Sequence, residues 1–290
     1  EISGPEHTVT IRREDDRWRI EPQGHLAADS KVRKMLEPLE NLTLTALVSE
    51  SQDYSRYELN PEKKITVKAW DGETLKRELA IGKSAPSFRH TFVSIAGDPN
   101  VYHARGNFRS AFETDAVQLR DKTVLQFAAS DIHTIRISAE DNSFALVRGE
   151  APIEKEPENQ AETPESVDAE IVWKTGDGQV ADSAAIDRLL GALALLECER
   201  FLDDRRKEDF QNPFYTLELA GVTQTYRLEI FPLPETDGEG AGEYPAISSE
   251  SDDPFVLPEW RVKNLTPEID DLVAAAETTT DSETAVPAGD

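Results

Sequence analysis

The order of signals between about Thr8 and Leu119 returns between about Ser143 and Val273, so the chain is expected to hold two copies of one folding unit. The clearest match joins Val32, Met35, Leu36, Leu39 and Leu42 to Ile186, Leu189, Leu190, Leu193 and Leu196, each pair 154 positions apart. Upstream, Trp18 answers Trp173, and Ala28-Asp29-Ser30 answers Ala181-Asp182-Ser183. Downstream, Asn60-Pro61 answers Asn212-Pro213, Leu79 and Ile81 answer Leu228 and Ile230, and Asp98-Pro99-Asn100-Val101 answers Asp253-Pro254-Phe255-Val256. Repetition limits architecture and leaves chemistry open.

Within the first copy, Val9 and Ile11 alternate with polar residues, as do Trp18 and Ile20, and Glu14-Asp15-Asp16 lies between them, which predicts a hairpin. The five spaced apolar residues that follow Asp29 and Ser30 predict a helix capped by one of those two, with a kink or stop near Glu37 because Pro38 removes a backbone donor. Leu44 to Val48 reads as a strand. Ile65, Val67 and Ala69 turn at Asp71-Gly72 and return through Leu75, Leu79 and Ile81. A second hairpin spans Phe92 to Ala104, and Phe108, Phe112, Ala116 and Leu119 recur at helical spacing. Val124 to Phe127 and Ile132 to Ile137 read as strands entering the second copy.

These elements predict an α+β class, with two tandem antiparallel meander sheets and packed helices. The boundaries read as 1–127 for the first repeat and 128–273 for the second. Acidic insertions near 150–170 and 232–244 interrupt the second copy, and 274–290 holds no large apolar residue. All three segments are expected to be mobile.

Across 290 residues, 57 acidic residues against 31 basic ones leave a net charge of −26, which repels phosphate backbones and excludes nucleic acid as an expected partner. One cysteine, Cys198, permits no intramolecular disulfide and sits among Leu195, Leu196 and Phe201, where a thiol packs as a small hydrophobe. No apolar run is long enough to span a bilayer. The start at Glu1 instead of Met leads us to expect a signal or anchor upstream.

A search for chemistry finds no constellation. His7, His25, His90, His103 and His133 share no ligand spacing, and nucleophile elbows, phosphate loops and dinucleotide fingerprints are absent. Glu235, Asp237, Glu239 and Gly240 imitate part of a calcium loop whose twelfth position would be Ala246, a residue without a carboxylate. Asp29 and Asp182 recur as expected helix caps, and Trp18 and Trp173 as expected buried strand aromatics. The expectation is a non-enzyme with no catalytic, cofactor-binding or metal residues and no cofactor.

The tryptophan, Ala-Asp-Ser, the V-x-x-M-L-x-x-L helix, Y-E-L-N-P, L-A-I-G, V-Y and Leu119-Arg120-Asp121-Lys122 together resemble the family catalogued as domain of unknown function 4340. Ile186-Asp187-Arg188-Leu189-Leu190 and Phe210-Gln211-Asn212-Pro213 supply the second set. The resemblance implies an N-terminal membrane anchor, missing from this chain, and an extracytoplasmic (periplasmic) location tethered to the inner membrane. It also implies an auxiliary role beside gliding-motility-type ABC transporters, whose subunits become the expected protein partners. The alternative expectation is a module that binds a polymer or small molecule in a cleft between the two repeats.

Overall fold

Alternating apolar and polar residues make strands along most of this chain. In a computed structural model, every strand pairing among the described residues is antiparallel. The structure describes residues 1–139, 142–150, 171–233 and 242–273. Two units result, Glu1–Asp121 and Lys122–Asp290, each built on one large sheet with short helices. The division falls at 121/122 instead of 127/128, since the strand Thr123–Gln126 pairs with Leu195–Glu197 of the second unit.

The first unit contains β1 (Ile2–Ser3), β2 (Thr8–Glu14), β3 (Arg17–Glu21), β4 (His25–Leu26), α1 (Asp29–Glu40), β5 (Leu44–Ser49), β6 (Ile65–Asp71), β7 (Thr74–Ser84), β8 (His90–Ile95), β9 (Val101–Arg105), α2 (Arg109–Phe112) and α3 (Ala116–Leu119). Its sheet order is β4-β3-β2-β1-β6-β7-β8-β9-β5. The β2–β3 turn places Asp15 and Asp16 at positive φ, which matches a two-residue hairpin loop to the right-handed strand twist. Val32, Met35 and Leu39 of α1 pack into a core with Ile65, Val67, Leu79, Ile81 and Val93. The opposite face carries a smaller cluster of Tyr57, Leu59, Ala85, Phe92 and Val101. Gly82 lets the chain at Tyr57 pass close beneath β7, because a Cβ there would lie 2.3 Å from the Tyr57 carbonyl oxygen.

The second unit contains β10 (Thr123–Gln126), β11 (Ile132–Ala139), β12 (Asn142–Glu150), β13 (Ile171–Thr175), α4 (Ser183–Leu193), β14 (Leu195–Glu197), β15 (Arg200–Phe201), β16 (Tyr215–Gly221), β17 (Thr225–Ile230), β18 (Glu243–Ser248), β19 (Phe255–Pro258) and α5 (Glu259–Leu265). Its large sheet has the order β13-β12-β11-β16-β17-β18-β19-β15. Trp173 lies opposite Arg148 as Trp18 lies opposite Arg13. Ala181 donates to the Trp173 carbonyl at 2.8 Å, as Ala27 does to Trp18 at 2.8 Å. Ile186, Leu189, Leu190, Leu193 and Leu196 are all buried, alongside Cys198.

Several local expectations change. Helix α1 runs through Pro38 to Glu40, because a proline in the last turn removes one late hydrogen bond while Leu39 stays in the core. Neither Asp29 nor Ser30 caps it; Ala28 holds the N-cap position without a side-chain bond. Asp182 does cap α4, accepting from Ala184 at 2.9 Å and Ala185 at 3.0 Å. The helical pattern after Phe108 breaks into two short pieces, the second capped by Asp115 through the Gln118 amide. The acidic segments at 151–170, 234–241 and 274–290, and with them the mobility expected there, lie outside the described residues. Glu243 and Tyr244, read as loop, begin β18, because Tyr244 pairs with Leu257.

Candidate functional site

The five histidines spread over the first unit and the start of the second. His7 bonds the Thr114 carbonyl through Nε2 at 2.9 Å, His25 is half-buried in β4, and His133 is exposed on β11. His90 and His103 do meet, since β8 and β9 are neighbours and stack the rings with their planes 24° apart and centroids 5.2 Å apart. Phe92 closes on His103 at 4.8 Å, and Arg105 is the register partner of His90. The His103 Nε2 is buried without a hydrogen-bond partner. Burial first, and the neighbouring His90 second, hold its basicity below the ordinary histidine value. No single-strand spacing encodes this pairing; only the β8–β9 register does. Ala246, the expected last calcium position, is buried in β18, and the other members of that loop lie outside the described residues.

One cleft of about 290 Å³ opens in the first unit beside α2, floored by Ile65 and Phe112 and rimmed by His7, Arg109, Glu113 and Asp115. Its polar groups serve the fold. Arg109 donates to Glu113 at 2.7 Å, to the Lys63 carbonyl at 2.8 Å and to the Ile81 carbonyl at 3.2 Å, while Asp115 caps α3. The cleft therefore offers an apolar floor with few uncommitted groups to orient a ligand.

A different feature sets the first unit apart. Among the described residues, β5 forms the terminal strand of its sheet and pairs on one side only, with β9. Its six residues, Leu-Thr-Ala-Leu-Val-Ser, carry no charge, and Leu44 and Leu47 are 42% and 51% exposed. Two register irregularities bend the strand yet add no charged residue to it. At the matching end of the second sheet, β15 spans two residues, places Arg200 opposite Val256, and ties Arg200 to Glu243 at 2.7 Å. Proteins commonly protect sheet edges by shortening and charging them. The second unit uses both devices, and β5 uses neither.

The charge is also unevenly divided. Residues 1–121 hold 18 basic and 20 acidic residues, whereas 122–290 hold 13 and 37. The edge strand that is open to pairing thus lies in the unit with almost no net charge, where an approaching anionic or neutral chain meets little repulsion.

A family model described as "Domain of unknown function (DUF4340)" matches residues 18–213, more than half of the chain. No curated protein and no solved structure matches.

Proposed function

The chain belongs to the domain of unknown function 4340 family, and on that premise we propose that it is a non-enzymatic binding protein which captures an extended segment of a partner along β5. Its partner, on this reading, is a subunit of an envelope transport system of the ABC type, and its location is the periplasmic side of the inner membrane. The observation that carries the proposal is the six-residue, charge-free edge with exposed Leu44 and Leu47. An added strand satisfies the free backbone groups of such an edge and covers its side chains, which supplies both affinity and alignment.

The two units are, in the same reading, copies of one design, and their matching strand orders support this. Duplication followed by divergence gives a physical logic to the contrast: one copy keeps a blunted edge and serves stability, while the other exposes its edge for recognition. A photo-crosslinker at Leu44 in the native host should trap a transport subunit, and Leu47→Lys in that protein should remove the adduct without lowering the melting temperature. An unchanged adduct in Leu47→Lys, or none from the parent, would overturn the proposal.

A further inference from the structure

Acidic residues make up 57 of the 290 in the chain, yet residues 79–97 and 99–112 hold none. These two segments form the end of β7, all of β8 and β9, and α2. The β7–β8 turn at 85–89 is bound to the end of β9. The Ala85 amide donates to the His90 carbonyl, the Phe88 amide to the Ala85 carbonyl and the Gly106 amide to the Arg89 carbonyl, each at 2.8 Å. Thr91, fully buried beside them, donates to the Gly106 carbonyl at 2.8 Å and accepts from the Phe108 amide at 3.2 Å. Lys83 enters the turn, Arg89 leaves it, and Arg105 stands opposite His90. Among the described residues, none of these three cations makes an ion pair.

Phe88 tops this turn. Its side chain is 72% exposed and its φ is +55°, a conformation that strains a bulky residue and suits glycine. A turn that served only to join two strands would be more stable without the ring. In the second unit the corresponding connection, between β17 and β18, carries Glu235, Asp237 and Glu239, so the basic and aromatic character belongs to the first unit alone. A projecting ring with cations at its base lacks the walls that enclose a small ligand. It matches a surface that yields around it, in which anionic headgroups overlie acyl chains.

We propose that the turn at 85–89 is a membrane-contact tip, which sets Phe88 into the interfacial layer of a bilayer containing anionic phospholipid while Lys83, Arg89 and Arg105 meet the lipid phosphates. The ring leaves water, and the cations find the counter-charge that the protein does not give them. At about 0.1 M ionic strength charges act over about 10 Å, so these local cations outweigh acids beyond that range, despite the net charge of −26. One ring and three charges make a weak, reversible contact, suited to orienting a protein at a membrane and not to anchoring one. The tip is separate from β5 and does not depend on what β5 binds.

The test sediments the 290-residue chain with sucrose-loaded vesicles at millimolar lipid, either phosphatidylcholine mixed equally with phosphatidylglycerol or phosphatidylcholine alone. Partitioning should favour the anionic vesicles. It should fall about fivefold for each of Arg89→Gln and Arg105→Gln, and at least about tenfold for Phe88→Gly. Glycine suits the positive φ, so Phe88→Gly should keep or raise the melting temperature, and its lost binding would not reflect unfolding. Phe88→Trp should bind as the parent does, and bromine-labelled acyl chains should quench it more than they quench the parent's four tryptophans. Absent binding, equal partitioning onto neutral vesicles, or equal partitioning of parent and Phe88→Gly would overturn the proposal. A soluble peptide of alternating leucine and glutamate that protects the amides of Phe88 to His90, where vesicles do not, would overturn it in favour of an acidic protein partner.

Discussion

Replacing Asp182 by alanine separates two positions that look alike in sequence. The Asp182 carboxylate accepts two amide hydrogen bonds, from Ala184 and Ala185, at the start of α4, and both donors would otherwise face no acceptor within the helix. Loss of such a cap costs about 1 kcal/mol, within a range of about 0.5–2 kcal/mol. Asp29 is the first helical residue of α1 and accepts no capping bond. Its removal forfeits only a favourable charge near the helix N-terminus, about 0.3–1 kcal/mol at low salt and less when screened. For a unit the size of the second, 1 kcal/mol corresponds to about 2–4 °C in melting temperature. Differential scanning calorimetry in 0.15 M salt should therefore show Asp182→Ala lowering the second unit's transition by a few degrees. Asp29→Ala should shift the first unit by about one to two degrees once salt screens the charge, and Asp182→Asn should recover most of the loss. Equal shifts for the two alanine variants would refute the capping assignment and, with it, the one-residue offset between Ala28 and Asp182 as equivalent positions.

Protonation of His103 should destabilise the β8–β9 region on acidification. Its folded-state pKa lies below the unfolded value of about 6.5, so its stabilising effect is full above that value and is lost as pH falls towards the lowered one. His90 and Arg105 add like charge from the adjoining positions, and the facing β5 residues carry none. Protection of the β9 amides, taken relative to the intrinsic exchange rate at each pH, should fall between pH 7.5 and 5.5, and His103→Phe should flatten that response; an unaltered profile would discount the pair. Tyr215 is 3% exposed with a buried hydroxyl that has no partner, and burial raises its pKa. Tyr215→Phe should accordingly leave the melting temperature unchanged or raise it, whereas a loss of about 1 kcal/mol or more would reveal a hydrogen bond. Sodium chloride should stabilise the second unit, which carries 37 acidic residues against 13 basic ones, more than the nearly balanced first unit. Unit-resolved exchange that shows equal responses would contradict this division of the repulsion.

Periodicity within single segments determined most of what the chain reveals about its fold. The apolar positions of α1 and α4, the alternation of β6 and β7, and the match of Leu228 and Ile230 in β17 to Leu79 and Ile81 mark the faces that must leave water, so the cores around Val32 and Ile186 were legible in the sequence. Asp15-Asp16 and Asp71-Gly72 marked turns because few residues accept their backbone conformations. Tertiary structure alone decided how those segments meet. Both Ala-Asp-Ser runs read as caps, yet Ala27 and Ala181 take equivalent bridges to their tryptophan strands, which places Ala28 and Asp182 at the two N-caps. The stacking of His90 on His103 depends on strand register between residues thirteen apart. The same holds for the open edge of β5: Leu44 to Ser49 looks like an ordinary strand in sequence. Whether a strand is paired on one side or both is a property of its neighbours, and hydrogen bonds between distant segments leave no periodic trace in either one.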